Sequence, residues 1–98
     1  MKETLISTAC WIAAVRARES ERADRLFYDP WAIQLAGEEG QAWRELTTGG
    51  KDESEVGLAI RTRFFDDFLL YVTWEHAVRQ VVIAAAGMDT RAFRLTPR

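Results

Sequence analysis

A chain of 98 residues, 48% hydrophobic and 29% charged, is long enough for one small folded unit and too apolar for wholesale disorder. Fifteen acids against thirteen bases leave a formal charge of -2, which offers no clustered basic surface for nucleic acid. A single cysteine, Cys10, excludes an internal disulfide and a multi-cysteine zinc site, and a single histidine, His76, disfavours a histidine-based metal centre.

The first predicted element is a helix from Thr4 to about Arg22. Leu5, Ala9, Ile12 and Ala13 recur at helical spacing, and Ala, Arg and Glu dominate after Trp11. The stretch Leu5 to Val15 lies behind Lys2 as a signal-peptide core would. Glu3 cancels that positive start, Ser7 and Thr8 dilute the core, and Arg16, Arg18 and Arg22 follow at once. No apolar run approaches the roughly 20 residues that a spanning helix needs. These features point to a cytoplasmic protein with no membrane partner. Asp29-Pro30 is a helix-start signal, since Asp caps a backbone amide and Pro suits the first helical position. The helix it opens should run from Trp31 to Ala36 and stop at Gly37, with a further short helix over Glu38 to Thr47.

The longest helix is expected from Glu53 to Glu75, opened by Asp52 and Glu55 in the manner of a capping box. Val56, Ile60, Phe64, Phe68 and Val72 step by four, and with Phe65 and Leu69 they predict a core-facing surface. Arg63 and Asp67 form an i,i+4 pair, with Asp66-Asp67 read as the solvated flank. Arg61 has no such partner, because positions 57, 58, 64 and 65 are Gly, Leu, Phe and Phe. After His76 the period changes. Gln80 to Ala86 is an apolar run whose length and β-branched start predict a strand buried on both faces. Asp89 and Thr90 can cap a helix starting at Arg91 or Ala92. The whole reads as an α/β opening.

A buried strand that feeds a helix through small residues is a place to bind a polar or anionic cofactor, because the ligand can approach the backbone and meet free amides. Here the turn Ala85-Ala86-Gly87-Met88-Asp89-Thr90 carries one glycine, and it equally reads as an ordinary turn with Gly87 at positive φ. His76 beside Glu75 reads as a solvated or helix-capping histidine, and Cys10 as a core thiol.

Four blocks together carry a resemblance: Arg16-Ala17-Arg18-Glu19-Ser20; Asp24 to Pro30 (DRLFYDP); Ile60 to Asp66 (IRTRFFD); and Val81 to Leu95 (VVIAAAGMDTRAFRL). In that order and spacing the chain resembles the S-adenosylmethionine-dependent methyltransferases related to leucine carboxyl methyltransferases, in their bacterial branch. The resemblance implies an N-terminal helical cap over residues 1–78. At 79–98 it implies the first strand and turn of a truncated Rossmann-like class I methyltransferase fold. It implies S-adenosyl-L-methionine as cofactor, with Ala85, Ala86 and Gly87 beneath its methionine and ribose portions. Arg61 is implied to grip the cofactor carboxylate, with Arg16 as a second contact. Related carboxyl methyltransferases carry Gly where this chain has Ala85, whereas bacterial members are similar in using Ala. Asp89 is expected to cap the turn and not to touch the ligand.

In dinucleotide-type folds the ribose-binding acid follows the glycine turn by about 20 residues, near position 107 here. The expectation is therefore an N-terminal portion of a methyltransferase that moves a methyl group to an oxygen nucleophile such as a carboxylate. Its catalytic residues would lie beyond Arg98, and the small-molecule acceptor is not named by the sequence. The alternatives are a non-enzymatic remnant that self-associates through the unpaired strand, and a helical interaction module whose apolar stripe docks a partner helix.

Overall fold

The computed structural model describes residues 2–48 and 53–95. Its helices are α1 (Lys2–Glu21), α2 (Ala32–Thr48), α3 (Glu53–Glu75) and the single turn α4 (Arg91–Arg94).

Helix α1 lies at the centre. Its second half is buried on nearly every side, including the polar residues Arg16, Glu19 and Ser20. The last turn of α1 holds the loop that follows. The Leu26 amide donates to the Glu19 carboxylate at 3.0 Å, and the Asp29 amide donates to the Ser20 hydroxyl at 2.9 Å. Phe27 is thereby tucked inside, and the chain reverses into α2.

Helix α2 starts where the Asp-Pro signal placed it, with the Trp31 amide donating to Asp29 Oδ1 at 3.1 Å. Gly37, at φ 61 and ψ -171, is non-helical and divides this span into two helical pieces, the break expected at this glycine. Gly40 sets the approach of α1 and α2: a Cβ there would stand 2.4 Å from the Cys10 carbonyl oxygen. The resulting core is small, built from Ala13, Ala14 and Ala36 with Leu35 against it.

Helix α3 has the expected bounds but not the expected orientation. Its buried positions are Glu55, Ala59, Asp66 and Thr73, with Thr62 and Leu69 half-buried on the same face. Of the predicted core stripe, Val56, Ile60 and Phe64 are exposed, Phe64 by 63%; Phe65 and Phe68 are exposed toward a cleft facing α1, and Leu69 and Val72 are half-buried. Asp66, read from sequence as solvated, is only 3% exposed because two arginines from α4 draw it inward. Asp67 does pair with Arg63, whose Nη1 also donates to the Leu26 carbonyl at 2.6 Å. The proposed capping residue Asp52 lies outside the described residues.

Helix α3 stops where Ala77 takes φ 55 and the His76 and Val78 amides both donate to the Val72 carbonyl at 3.2 Å. His76 is exposed and its ring lies edge-on to Tyr71. The strand expected over Gln80 to Ala86 is not formed, and no strand occurs among the described residues. The segment is exposed, with Val82 82% accessible, and it turns at Ala84 and Ala85. A β-segment needs a neighbour to receive its amides and carbonyls, and none of the described residues offers one.

Candidate functional site

A cleft of about 530 Å³ opens between α1, α3 and the segment running from Val81 to α4. That volume lies in the range of small-molecule and cofactor sites. Four of the residues singled out from sequence line it, namely Arg16, Arg61, Ala85 and Ala86. Gly87 sits at the bend beside it, between the lining residues Ala86 and Met88.

The floor of the cleft is a strained turn. Ala85 at φ 50 and Gly87 at φ 54 both occupy the left-handed region, which costs an L-residue about 1–2 kcal/mol and glycine little. The Asp89 amide closes the turn by donating to the Ala86 carbonyl at 2.9 Å. With methyl groups or hydrogen at three successive positions, the turn presents backbone to any ligand in the cleft.

Behind the turn lies a network of charged side chains. Asp29 Oδ2 accepts from Arg16 Nε at 2.9 Å and from the Thr90 hydroxyl at 2.6 Å, while Arg94 Nε stands 3.8 Å away. Arg16 Nη2 also donates to the Met88 carbonyl. Asp66 accepts from Arg91 Nε at 2.8 Å and from Arg94 Nη1 at 3.0 Å. Asp89 pairs with the Arg91 guanidinium and caps the Arg91 amide at 2.8 Å, the role expected for it. Asp29, Asp66 and Asp89 thus neutralise Arg16, Arg91 and Arg94. Such burial is tolerable because each charge is both paired and hydrogen-bonded.

Arg61 stands apart. It is exposed on the cleft wall and has no carboxylate partner among the described residues. With the other three cleft arginines engaged, Arg61 is the unneutralised cation of the cleft. A guanidinium in that situation matches a ligand carboxylate, which it can grip with two parallel hydrogen bonds.

The network is not evident from the sequence, where Asp29 reads only as a helix cap and Asp66 as part of a solvated flank. A signal was available: Asp66 and Asp67 compete for the single Arg63, which leaves one acid over. Arg91 and Arg94 have no acid three or four residues away, by the same test that singled out Arg61.

The family model described as "Leucine carboxyl methyltransferase" matches residues 9–97. A relative from Parafrankia sp. is 47% identical over 95 residues, covering 90% of this chain and 30% of its own length. One from Streptomyces coelicolor is 42% identical over 97 residues, covering 91% of this chain and 34% of its own length. One from Mycobacteroides abscessus is 41% identical over 102 residues, with 91% and 33% covered. All three bear the name "Putative S-adenosyl-L-methionine-dependent methyltransferase". The chain therefore spans about a third of the length of the curated relatives it matches. No solved structure matches it. A family match that takes in α1, the Asp29 loop, α3 and the small-residue turn covers every element that builds the cleft, and the chain belongs to the leucine carboxyl methyltransferase family.

Proposed function

We propose that this chain forms the amino-acid-binding side of an S-adenosyl-L-methionine site in a methyltransferase. The observation that carries the reading is Arg61, the cleft cation that no carboxylate among the described residues neutralises. The donor set fits that cofactor: a guanidinium suits its carboxylate, and Ala85, Ala86 and Gly87 leave backbone accessible beside its methionine and ribose portions. When bound, the cofactor supplies an electrophilic methyl group on a sulfonium for transfer to an oxygen nucleophile such as a carboxylate. The task of this chain is to bind and orient it and to keep water from one face, since in-line displacement depends mostly on positioning and desolvation.

In this reading residues 1–78 are a helical cap in a cytoplasmic enzyme, and 79–98 begin a Rossmann-like domain. The exposed ring of Phe64 is then a surface that the further length of the relatives covers, whereas Phe65, Phe68 and Val82 line the cleft that takes the cofactor. No helix among the described residues is long and apolar enough to cross a membrane. A second reading, self-association through residues 80–86, is favoured by the exposure of Val82.

The test is calorimetric titration of the chain with S-adenosylmethionine, beside an Arg61→Ala variant. Saturable one-site binding that weakens about tenfold or more in the variant is expected, because a hydrogen-bonded ion pair with the cofactor is lost. Equal affinity in the two proteins, or no saturable binding by either, overturns the reading.

A further inference from the structure

The cleft has two kinds of arginine, and only one kind has charge to spare. Arg16 reaches the cleft, yet its Nε is given to Asp29 and its Nη2 to the Met88 carbonyl. Arg91 and Arg94 are given to Asp66 and Asp89, and Arg94 Nε donates to the Thr90 hydroxyl at 2.8 Å. These bonds converge on one short stretch. Met88 is held by its carbonyl, Thr90 by its hydroxyl and Arg91 by its guanidinium, while the Asp89 carboxylate pairs with Arg91 inside the stretch. The anchors come from distant parts of the chain: Asp29 from the loop before α2, Arg16 from α1, and Asp66 and the Thr62 carbonyl from α3.

We propose that Asp29 and Asp66 are positioning residues, which through Arg16, Thr90, Arg91 and Arg94 fix the turn at residues 85–90 opposite Arg61. The proposal rests on the cofactor reading above and assigns Arg16 to the turn's support. Asp29, with a fully buried side chain, joins the turn to α1 and α2; Asp66, nearly as buried, joins it to α3, which carries Arg61. A ligand held by Arg61 at one end and by backbone of the turn at the other needs those two parts at a set separation. No regular secondary structure supplies that separation, because residues 76–90 contain neither helix nor strand. The ion pairs supply it, and a preformed geometry avoids the ordering cost that a loose turn would impose on binding.

The experiment is amide hydrogen exchange on the unliganded chain, with Thr90→Val, Thr90→Ser and Asp66→Asn variants. Thr90→Val keeps shape and removes only the hydroxyl that Asp29 receives; Thr90→Ser keeps that hydroxyl. The Asp89 and Arg91 amides, which donate to Ala86 and to the Asp89 carboxylate, should exchange about tenfold faster in Thr90→Val and Asp66→Asn. They should be unchanged in Thr90→Ser, and the amides of α1 should be unchanged throughout. S-adenosylmethionine affinity should fall with the same two variants and recover with Thr90→Ser. Unchanged exchange at Asp89 and Arg91 in both Thr90→Val and Asp66→Asn overturns the proposal. So does equal loss of protection across α1, which would mark a purely global role. If the unsubstituted chain binds no cofactor, the functional reading fails while the exchange result still decides whether these carboxylates set the turn.

Discussion

The Thr90 hydroxyl donates to the carboxylate of Asp29 at 2.6 Å, across 61 positions of sequence. That bond joins the loop after α1 to the turn under the cleft, and it is not an isolated contact. Arg16, Arg94 and the Trp31 amide converge on the same carboxyl group. The apolar cluster at the α1–α2 crossing consists of alanines, each burying little more than a methyl group. Polar and ionic bonds therefore decide where the pieces of this chain sit relative to one another.

Replacing Asp29 by alanine should be the most damaging single change. It strands the Arg16 guanidinium in a site where that side chain is 10% exposed, and it removes the acceptor of Thr90 and of the Trp31 amide. Breaking a buried pair from one side costs about 3–5 kcal/mol. A small domain has only about 5–15 kcal/mol in hand, so urea unfolding should show the midpoint collapse or the transition vanish. Asp29→Asn should cost less, because an amide oxygen still accepts from Thr90.

Much of the helix layout was readable from local signals. Asp29-Pro30 marks the approach to α2, Gly37 marks its kink, and α3 occupies the span its periodicity gave. The face that α3 buries was not readable. Periodicity counts apolar residues and assumes they seek the interior, but here Asp66 outweighs the phenylalanines because Arg91 and Arg94 are waiting for it. Nor could the run Gln80 to Ala86 become a strand, since a ladder is a property of two segments. The four cleft residues came from recognising the blocks as a set; the carboxylates behind them depend on contacts 13 to 61 positions apart.

Two glycines in helices should respond oppositely to alanine. Gly40→Ala drives a methyl group to within 2.4 Å of the Cys10 carbonyl oxygen and 2.8 Å of its carbon, so α1 and α2 must part. The expected loss is about 1–3 kcal/mol. Gly57→Ala, in α3 with nothing within 4 Å of the new atom, should gain up to about 1 kcal/mol from helix propensity. Paired urea titrations read both signs.

The Arg22 guanidinium donates to Asp24 and holds its carboxyl below the ordinary aspartate value, helped by a backbone hydrogen bond and by the arginine's charge. A lowered native value means that the pair favours the fold above the ordinary aspartate range and stops doing so as pH falls through the lowered value. Both side chains are exposed, so the effect should be visible in the Asp24 carboxyl titration by NMR and nearly invisible in stability. Arg22→Ala should raise the carboxyl most of the way to its usual range, the backbone hydrogen bond holding the remainder, and molar salt should raise it less.

Val82→Lys tests what the open segment does. At 82% exposure the side chain packs on almost nothing, so monomer stability should change by no more than about 0.5 kcal/mol. If residues 80–86 pair between copies, sedimentation of the unsubstituted chain should show a concentration-dependent dimer, and the inserted charge should abolish it. A chain that sediments as a monomer at every concentration removes the self-association reading.

The turn offers a prediction in which neighbouring residues diverge. Ala85 sits at φ 50, where an L-residue is strained by about 1–2 kcal/mol, whereas glycine is not. Ala85→Gly relieves that strain but enlarges the freedom of the unfolded chain, a cost of about 0.4–1 kcal/mol. The balance is a gain of up to about 1.5 kcal/mol. Ala86 has an ordinary negative φ, so Ala86→Gly carries the entropic cost with no relief and should destabilise. Gly87→Ala places a methyl group at φ 54 with only ordinary contact, 3.8 Å from Ala9 Cβ. Its penalty is conformational, about 1–2 kcal/mol. Urea midpoints should therefore rank Ala85→Gly at or above the unsubstituted chain, and Ala86→Gly and Gly87→Ala below it. The opposite order for the two alanines would mean that residue 85 does not hold the left-handed bend on which the floor of the cleft depends.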